Sequence, residues 1–229
     1  MNQKVLNCYT LLLRKPPLYR FVRYKMELEP FTKDELSLLA GLLISGSQCG
    51  YQDYFRDIVN EVERENIIGN LQSDYIYYQI KFLLECGLDP NHYFALDKEL
   101  CLPLELAVHI DNPRECLRLV ALLLEHGANP NAKIENDEEE ETIFESIDFD
   151  IWFYELLNGY YYCNFQLWLL MMSYGGTVNG EIPVTFSSEK GNVRMFRDYE
   201  RFGYQMDDSE GNRLDIIDKQ TGEIVAYVD

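Results

Sequence analysis

One pattern returns four times in this chain: an apolar helical run, then a glycine, then a short polar turn. The turns are Cys86-Gly87-Leu88-Asp89-Pro90-Asn91, His126-Gly127-Ala128-Asn129-Pro130-Asn131, Tyr174-Gly175-Gly176-Thr177-Val178-Asn179 and Phe202-Gly203-Tyr204-Gln205-Met206-Asp207. Leucines and aromatics at helical spacing before each glycine would bury one face of a helix. The glycine would take the left-handed position just past the helix end, where a Cβ is disfavoured. Pro90 and Pro130 then keep the helix from resuming. The spacings between glycines, 40, 48 and 28 residues, are irregular but lie in the range of stacked repeats.

A second helix is expected before three of these runs. Cys101–Ile110 precedes the second, with Pro103 in its first turn, and Asn112-Pro113 makes the corner. Thr142–Leu157 precedes the third and closes at Asn158-Gly159. A short segment, Pro183–Glu189, precedes the fourth. Each unit then reads helix, tight turn, helix, loop. Such a unit cannot bury its apolar face alone and must stack on its neighbours.

The flanks differ. Thr32-Lys33-Asp34-Glu35 has the form of a capping box and opens a helix to about Ser45, and Tyr51–Asn66 reads as another. Residues 1–30 carry no pattern that places them. At the other end, Leu214–Asp218 and Glu223–Val228 flank Lys219-Gln220-Thr221-Gly222 and predict a β-hairpin capping the stack. The expected organisation is an N-terminal helical cap or degenerate repeat region over 1–70, repeats over 71–213 and a hairpin over 214–229, in one continuous solenoid.

Leu102-Pro103-Leu104-Glu105-Leu106-Ala107, followed by Leu122-Leu123-Leu124-Glu125-His126-Gly127-Ala128-Asn129-Pro130-Asn131, resembles one ankyrin repeat. The family pattern is Thr-Pro-Leu-His-x-Ala and then Leu-Leu-x-x-Gly-Ala-x-x-Asn. Here Leu102 stands in place of the Thr and Glu105 in place of the His, and Asp111–Cys116 holds a short insertion. The resemblance is closest over 97–131, fair over 72–91, and weak over 142–179 and 192–207. It implies a mainly α, ankyrin-like helix-turn-helix α-solenoid with projecting loops and a concave helical face. It also implies a protein-binding role, with no catalytic residues and no cofactor to carry over.

Charge sharpens that expectation. The net charge is -19, yet residues 1–26 hold six basic residues and no acidic one. The rest carries 14 basic against 39 acidic residues, a net of -25. Such a field repels phosphate backbones and attracts a basic protein, so no direct nucleic-acid binding is expected. Acidity also serves solubility alone. Between Ile134 and Glu189 there are 12 acidic residues and no basic one. The acidic run there sits in the loop after the best repeat, and aromatic residues follow it. The candidate partner-binding residues are Asp137, Glu138, Glu139, Glu140, Glu141, Asp148, Asp150, Trp152, Tyr154 and Glu155: charge to steer an encounter, aromatics to hold it. The alternative is a solvated charged loop with its aromatics in the core. Acidic ankyrin-like chains of this compact, irregular kind also resemble immunity proteins that neutralise bacterial toxins, including basic nucleases.

Other chemistry finds little footing. The six cysteines are scattered, which suits free thiols in a reducing compartment rather than a disulfide framework. Cys86, His92, Cys101, His109, Cys116 and His126 lack the paired spacing of a zinc site. There is no Gly-x-Ser-x-Gly elbow and no glycine-rich phosphate loop. The apolar stretch Val5–Leu13 is too short for a secretory core and the run at Trp168–Met172 too short for a membrane span, so a cytoplasmic location is expected. The basic N-terminal stretch with Tyr19, Phe21 and Tyr24 could touch an anionic surface or pair with the chain's own acids. The competing classes are an enzyme or metal-binding protein on a helical scaffold, and a structural subunit of a larger assembly. Monomer is the favoured oligomeric state.

Overall fold

The computed structural model describes residues 3–14, 16–46, 74–96, 99–110, 112–135, 141–147, 162–186, 201–207 and 213–228. They form two compact units: residues 1–129 with 134–140, and residues 130–133 with 141–229.

The first unit is helical. Its helices are α1 (Gln3–Leu12), α2 (Tyr19–Leu28), α3 (Lys33–Ser45), α4 (Asp74–Glu85), α5 (Pro103–Val108) and α6 (Pro113–Glu125). A short antiparallel hairpin, β1 (Phe94–Leu96) and β2 (Glu99–Cys101), lies between α4 and α5. The two N-terminal helices fill the stretch that sequence reasoning could not place. The expected helix over 101–110 is shorter, because Cys101 closes the hairpin and Pro103 fits only once the helix begins.

Helix α3 is the centre of this unit. Every residue from Leu39 to Ser45 is buried, so it is surrounded rather than amphipathic. The expected capping box forms: Thr32 Oγ1 accepts the Glu35 N–H at 3.2 Å, and Glu35 Oε2 accepts the Thr32 N–H at 2.9 Å. Lys4 Nζ reaches the same carboxylate at 2.7 Å and ties α1 to α3. Partial burial pushes the Glu35 carboxyl up, but the hydrogen bonds from Lys4 and Thr32 outweigh it and hold it below the usual range. Helices α3 and α4 pack together, as do α5 and α6; α3 also packs on α5, and α4 on α6. Phe94 of β1 seats on Gly41 of α3, where an added Cβ would overlap its ring.

The second unit holds α7 (Tyr162–Ser173) and a four-stranded antiparallel sheet, β3 (Thr185–Phe186), β4 (Phe202–Asp207), β5 (Arg213–Asp218) and β6 (Ile224–Val228), in the order β3-β6-β5-β4. Helix α7 is buried from Phe165 to Met172 except at Gln166, and Trp168 stacks on Phe144 with ring centroids 6.0 Å apart. The expected C-terminal hairpin is present as β5–β6, closed by Gly222 at φ 73°.

Two expectations fail here. The turn expected of the fourth repeat is a strand instead: Phe202–Asp207 pairs along its length with β5, and the helical run expected before residue 201 lies outside the described residues. The segment alternates Phe202, Tyr204 and Met206, a two-residue period that suits a strand. Gly203 lies against the Lys219 side chain and not in the left-handed region. In the short helix expected over 183–189, Thr185–Phe186 is the strand β3, and residues 187–189 lie outside the described residues. The first part of the helix expected over 142–157 is one capped turn at 142–147. Tyr51–Asn66 and the remainder of 142–157 lie outside the described residues.

Asp218 locks the β5–β6 turn from a buried position. Its carboxylate accepts Arg201 Nε at 2.7 Å, a second bond from the same guanidinium, and the Gln220 N–H at 2.9 Å. The Arg201 bonds, against some burial, hold its carboxyl down to about 2.

Two outcomes follow for stability. Gly41→Ala should cost about 1–3 kcal/mol in urea unfolding, because Phe94 must leave its seat. Gly41→Ala at wild-type stability would show that the close approach is slack. The Asp218 pair should contribute above the ordinary carboxylate range, ~3.9, and be lost as pH falls towards 2. The stability gap between wild type and Asp218→Asn should therefore be full at pH 6 and shrink steadily between pH 4 and 2. A gap that ignores pH would contradict this.

Candidate functional site

Three helices end in the same way. After α4, the Gly87 and Leu88 N–H groups donate to Leu84 and Leu83 carbonyls at 3.1 and 2.9 Å. After α6, Gly127 and Ala128 donate to Leu124 and Leu123 at 2.9 and 3.0 Å. After α7, Gly175 and Gly176 donate to Met172 and Met171 at 2.9 and 3.0 Å. The glycine φ values are 97°, 88° and 90°. This is one Schellman closure repeated three times, and it sends the chain out of each helix in the same direction.

The turns that follow are joined by asparagines. Asn91 Nδ2 donates to the Gly127 carbonyl at 2.7 Å, and its Oδ1 accepts the Asn129 N–H at 2.8 Å. Asn131 repeats this in the second unit. Its Nδ2 donates to the Gly175 carbonyl at 2.7 Å and its Oδ1 accepts the Thr177 N–H at 2.9 Å. Each asparagine thus spends both ends of its amide on the glycine turn one closure later. A primary amide can donate and accept at once, a pairing that an acid or an amine cannot reproduce at neutral pH.

Beyond each turn the chain forms a hairpin-like loop. The first is β1–β2. The second is closed by an antiparallel bridge between Lys133 and Thr142, and the third by one between Val178 and Glu181. A Glu three residues into the following turn recurs at the loop exits. Glu105 Oε2 accepts the Leu102 N–H at 3.0 Å, although Leu102 has no side-chain oxygen to offer in return. Burial pushes the Glu105 carboxyl up. At Thr142 the exchange is reciprocal: Glu145 accepts the Thr142 N–H at 3.0 Å, and Thr142 Oγ1 accepts the Glu145 N–H at 3.2 Å. Glu145 Oε1 also accepts the Asn179 N–H at 2.9 Å, and that bond, with those from Thr142, holds its carboxyl below the usual range.

The second loop is the one that carries the acidic run. Lys133 and Thr142 pin its two ends, and the Ile143 N–H donates to the Ala132 carbonyl at 2.9 Å just below. Glu135 leaves this base exposed and Glu141 returns exposed. Of the candidate partner-binding residues, Glu141 is therefore at the loop base. Asp137, Glu138, Glu139, Glu140, Asp148, Asp150, Trp152, Tyr154 and Glu155 lie outside the described residues.

Two of the three histidines have polar partners. His92 Nε2 meets Asp34 at 2.6 Å, the His126 ring meets the Leu122 carbonyl at 2.8 Å, and burial lowers the pKa of His109. Among the described residues no group of three or more His, Cys, Asp or Glu is placed to hold a metal ion, and no helix is long and apolar enough to cross a membrane.

Gly87, Gly127, Gly175, Pro90 and Pro130 are legible in the sequence as helix ends, whereas the asparagine ties are not among its expectations. The signal was there: Asn91 and Asn131 both stand four residues after their glycines. Thr142-Ile143-Phe144-Glu145 has the same form as the capping box at Thr32. No family model matches the chain, and no curated protein or solved structure matches it significantly.

Asn131→Ala should destabilise by about 1–3 kcal/mol in chemical denaturation, since it leaves the Gly175 carbonyl and Thr177 N–H without their partner. Asn131→Asp should be no better at pH 7, because a carboxylate would face the Gly175 carbonyl. Full stability of Asn131→Ala would mean that water replaces the amide without loss.

Proposed function

We propose that the chain is an ankyrin-type repeat protein that binds a basic protein partner through its loops and carries out no catalysis. The observation that carries this reading is the pair of equivalent asparagine ties, each joining one glycine turn to the next. A solenoid needs every unit to present its loop in register with its neighbour, and a repeated tie of this kind supplies that register. The packing of α3 on α5 and α4 on α6 supports it further, as first helix on first and second on second. Three successive hairpin-like loops, each following a left-handed glycine, stand where ankyrin proteins project their binding fingers.

The loop sequence chooses the partner. Six acidic residues fall within 135–141. The antiparallel bridge at Lys133 and Thr142 gives that loop a fixed base. Like charges crowded on one loop repel each other, and a cationic partner relieves the repulsion while gaining from its own neutralisation. In its sharper form, the chain is an inhibitor of the immunity-protein kind, its acidic loop filling a cationic cleft built for a phosphate backbone. Asp148, Asp150, Trp152, Tyr154 and Glu155 would extend that surface.

Co-purification with the protein encoded by the neighbouring gene tests the reading. A stoichiometric complex should form, and changing Glu138, Glu139, Glu140 and Glu141 to Lys should weaken it by about tenfold or more while slowing association in low salt. Raising salt should weaken the wild-type complex in the same direction. A complex indifferent to both changes would overturn the electrostatic role of the loop.

A further inference from the structure

Against a net charge of -19, one described surface has the opposite sign. A groove of about 450 Å³ runs between α2 and α4, lined by Tyr19, Arg20, Arg23, Tyr78, Lys81 and Phe82. Glu85 is the one acidic residue on its wall. The floor is aromatic: Tyr19 and Phe82 have ring centroids 5.0 Å apart, and the Arg23 guanidinium lies 5.5 Å from the Phe82 centroid. Burial, with Tyr75 and Tyr78 nearby, pushes the Tyr19 phenol up to about 12, so it stays a neutral hydrogen-bond donor.

The cations there are loosely committed. Arg23 meets Glu85 at 3.5 Å with both side chains about half exposed, a geometry that contributes little in water. Arg20 and Lys81 are exposed and make no ion pair with another described residue. On the adjoining face of α2, Phe21, Tyr24 and Leu28 recur at helical spacing and are 61, 58 and 68% exposed. Tyr78 across the groove is 54% exposed. An apolar stripe on an exposed helix is costly to leave in water, and arginine beside tyrosine is the composition of an interface anchor.

We infer that the α2–α4 groove and the adjoining α2 stripe form a second docking surface, for an acidic protein segment that also carries large apolar side chains. Charge complementarity selects the acid: three cations face one carboxylate. The apolar stripe selects a segment over a small anion, because a single anion would cover the groove and leave Phe21, Tyr24 and Leu28 bare. The recess selects a protein over a membrane, since Tyr19 and Phe82 sit below the exposed rim where a flat bilayer would not reach. Nucleic acid is disfavoured by the -25 carried beyond residue 26. With a basic partner at the acidic loop and an acidic one here, the protein would join two chains of opposite charge.

A random twelve-residue peptide display library, selected on the full chain, tests this. The probes are the enriched peptides, measured by fluorescence anisotropy against wild type and Arg20→Glu/Arg23→Glu/Lys81→Glu. The expected result is enrichment of Asp or Glu together with Phe, Trp or Leu, and binding weakened about tenfold or more by the triple change and by salt. Arg20→Gln/Lys81→Gln, a milder pair at exposed positions, should weaken binding partway and covers the case in which the triple variant misfolds. The Glu138–Glu141 charge-reversed protein should bind these peptides undiminished, which separates this surface from the acidic loop. Enrichment of basic peptides alone, or acidic peptides that bind both groove variants like wild type, would overturn the inference. Stronger capture by vesicles of anionic phospholipid, lost in the triple variant, would overturn it in favour of a membrane surface.

Discussion

A side-chain amide that donates to one glycine turn and accepts from the same turn two residues on is the interaction on which the rest of this structure depends. Asn91 and Asn131 make it in equivalent places. Apolar burial drives the helices together, but it is non-directional and would tolerate many sliding arrangements. A bidentate amide is directional and admits one register. In each unit it fixes the glycine turn that it joins.

The tie works only because the turns it joins are alike. Gly87, Gly127 and Gly175 hold the left-handed conformation that lets each helix close on its own carbonyls. The loop then returns through a Glu that takes up the first free N–H of the next turn, at Leu102 and at Thr142. Glu105 takes a backbone N–H with its carboxylate, and at Glu145 one carboxylate serves two segments. At both corners the carboxylate satisfies backbone donors at the start of the turn.

How far the sequence could be read follows from the range of each force. The Thr32 capping box, the glycine closures and the Asn112-Pro113 corner are local, and each formed where its residues stood. The β5–β6 hairpin was equally local. Gly203 misled because a glycine after an apolar run fits both a helix end and a strand packed tightly on a neighbour. Only pairing with β5, ten residues on, decides between them. The α2–α4 groove was hardest to see: its cations come from residues about sixty apart in sequence, and only packing joins them. The acidic run was plain in the composition, whereas its fixed base, a bridge from Lys133 to Thr142, was not.

The acidic loop and the α2–α4 groove draw on different parts of the sequence. The acidic loop belongs to the strongly negative stretch after residue 134, and the groove to the stretch that contains the basic N-terminus. The asparagine ties hold the glycine turns from which the loops leave. Amide hydrogen exchange under native conditions tests those ties most directly. The Asn129 and Thr177 amides should both be protected well beyond neighbouring loop amides, and Asn91→Ala should release Asn129 while leaving Thr177 protected. Exchange of both amides at the rate of an open loop in the wild-type protein would contradict the account.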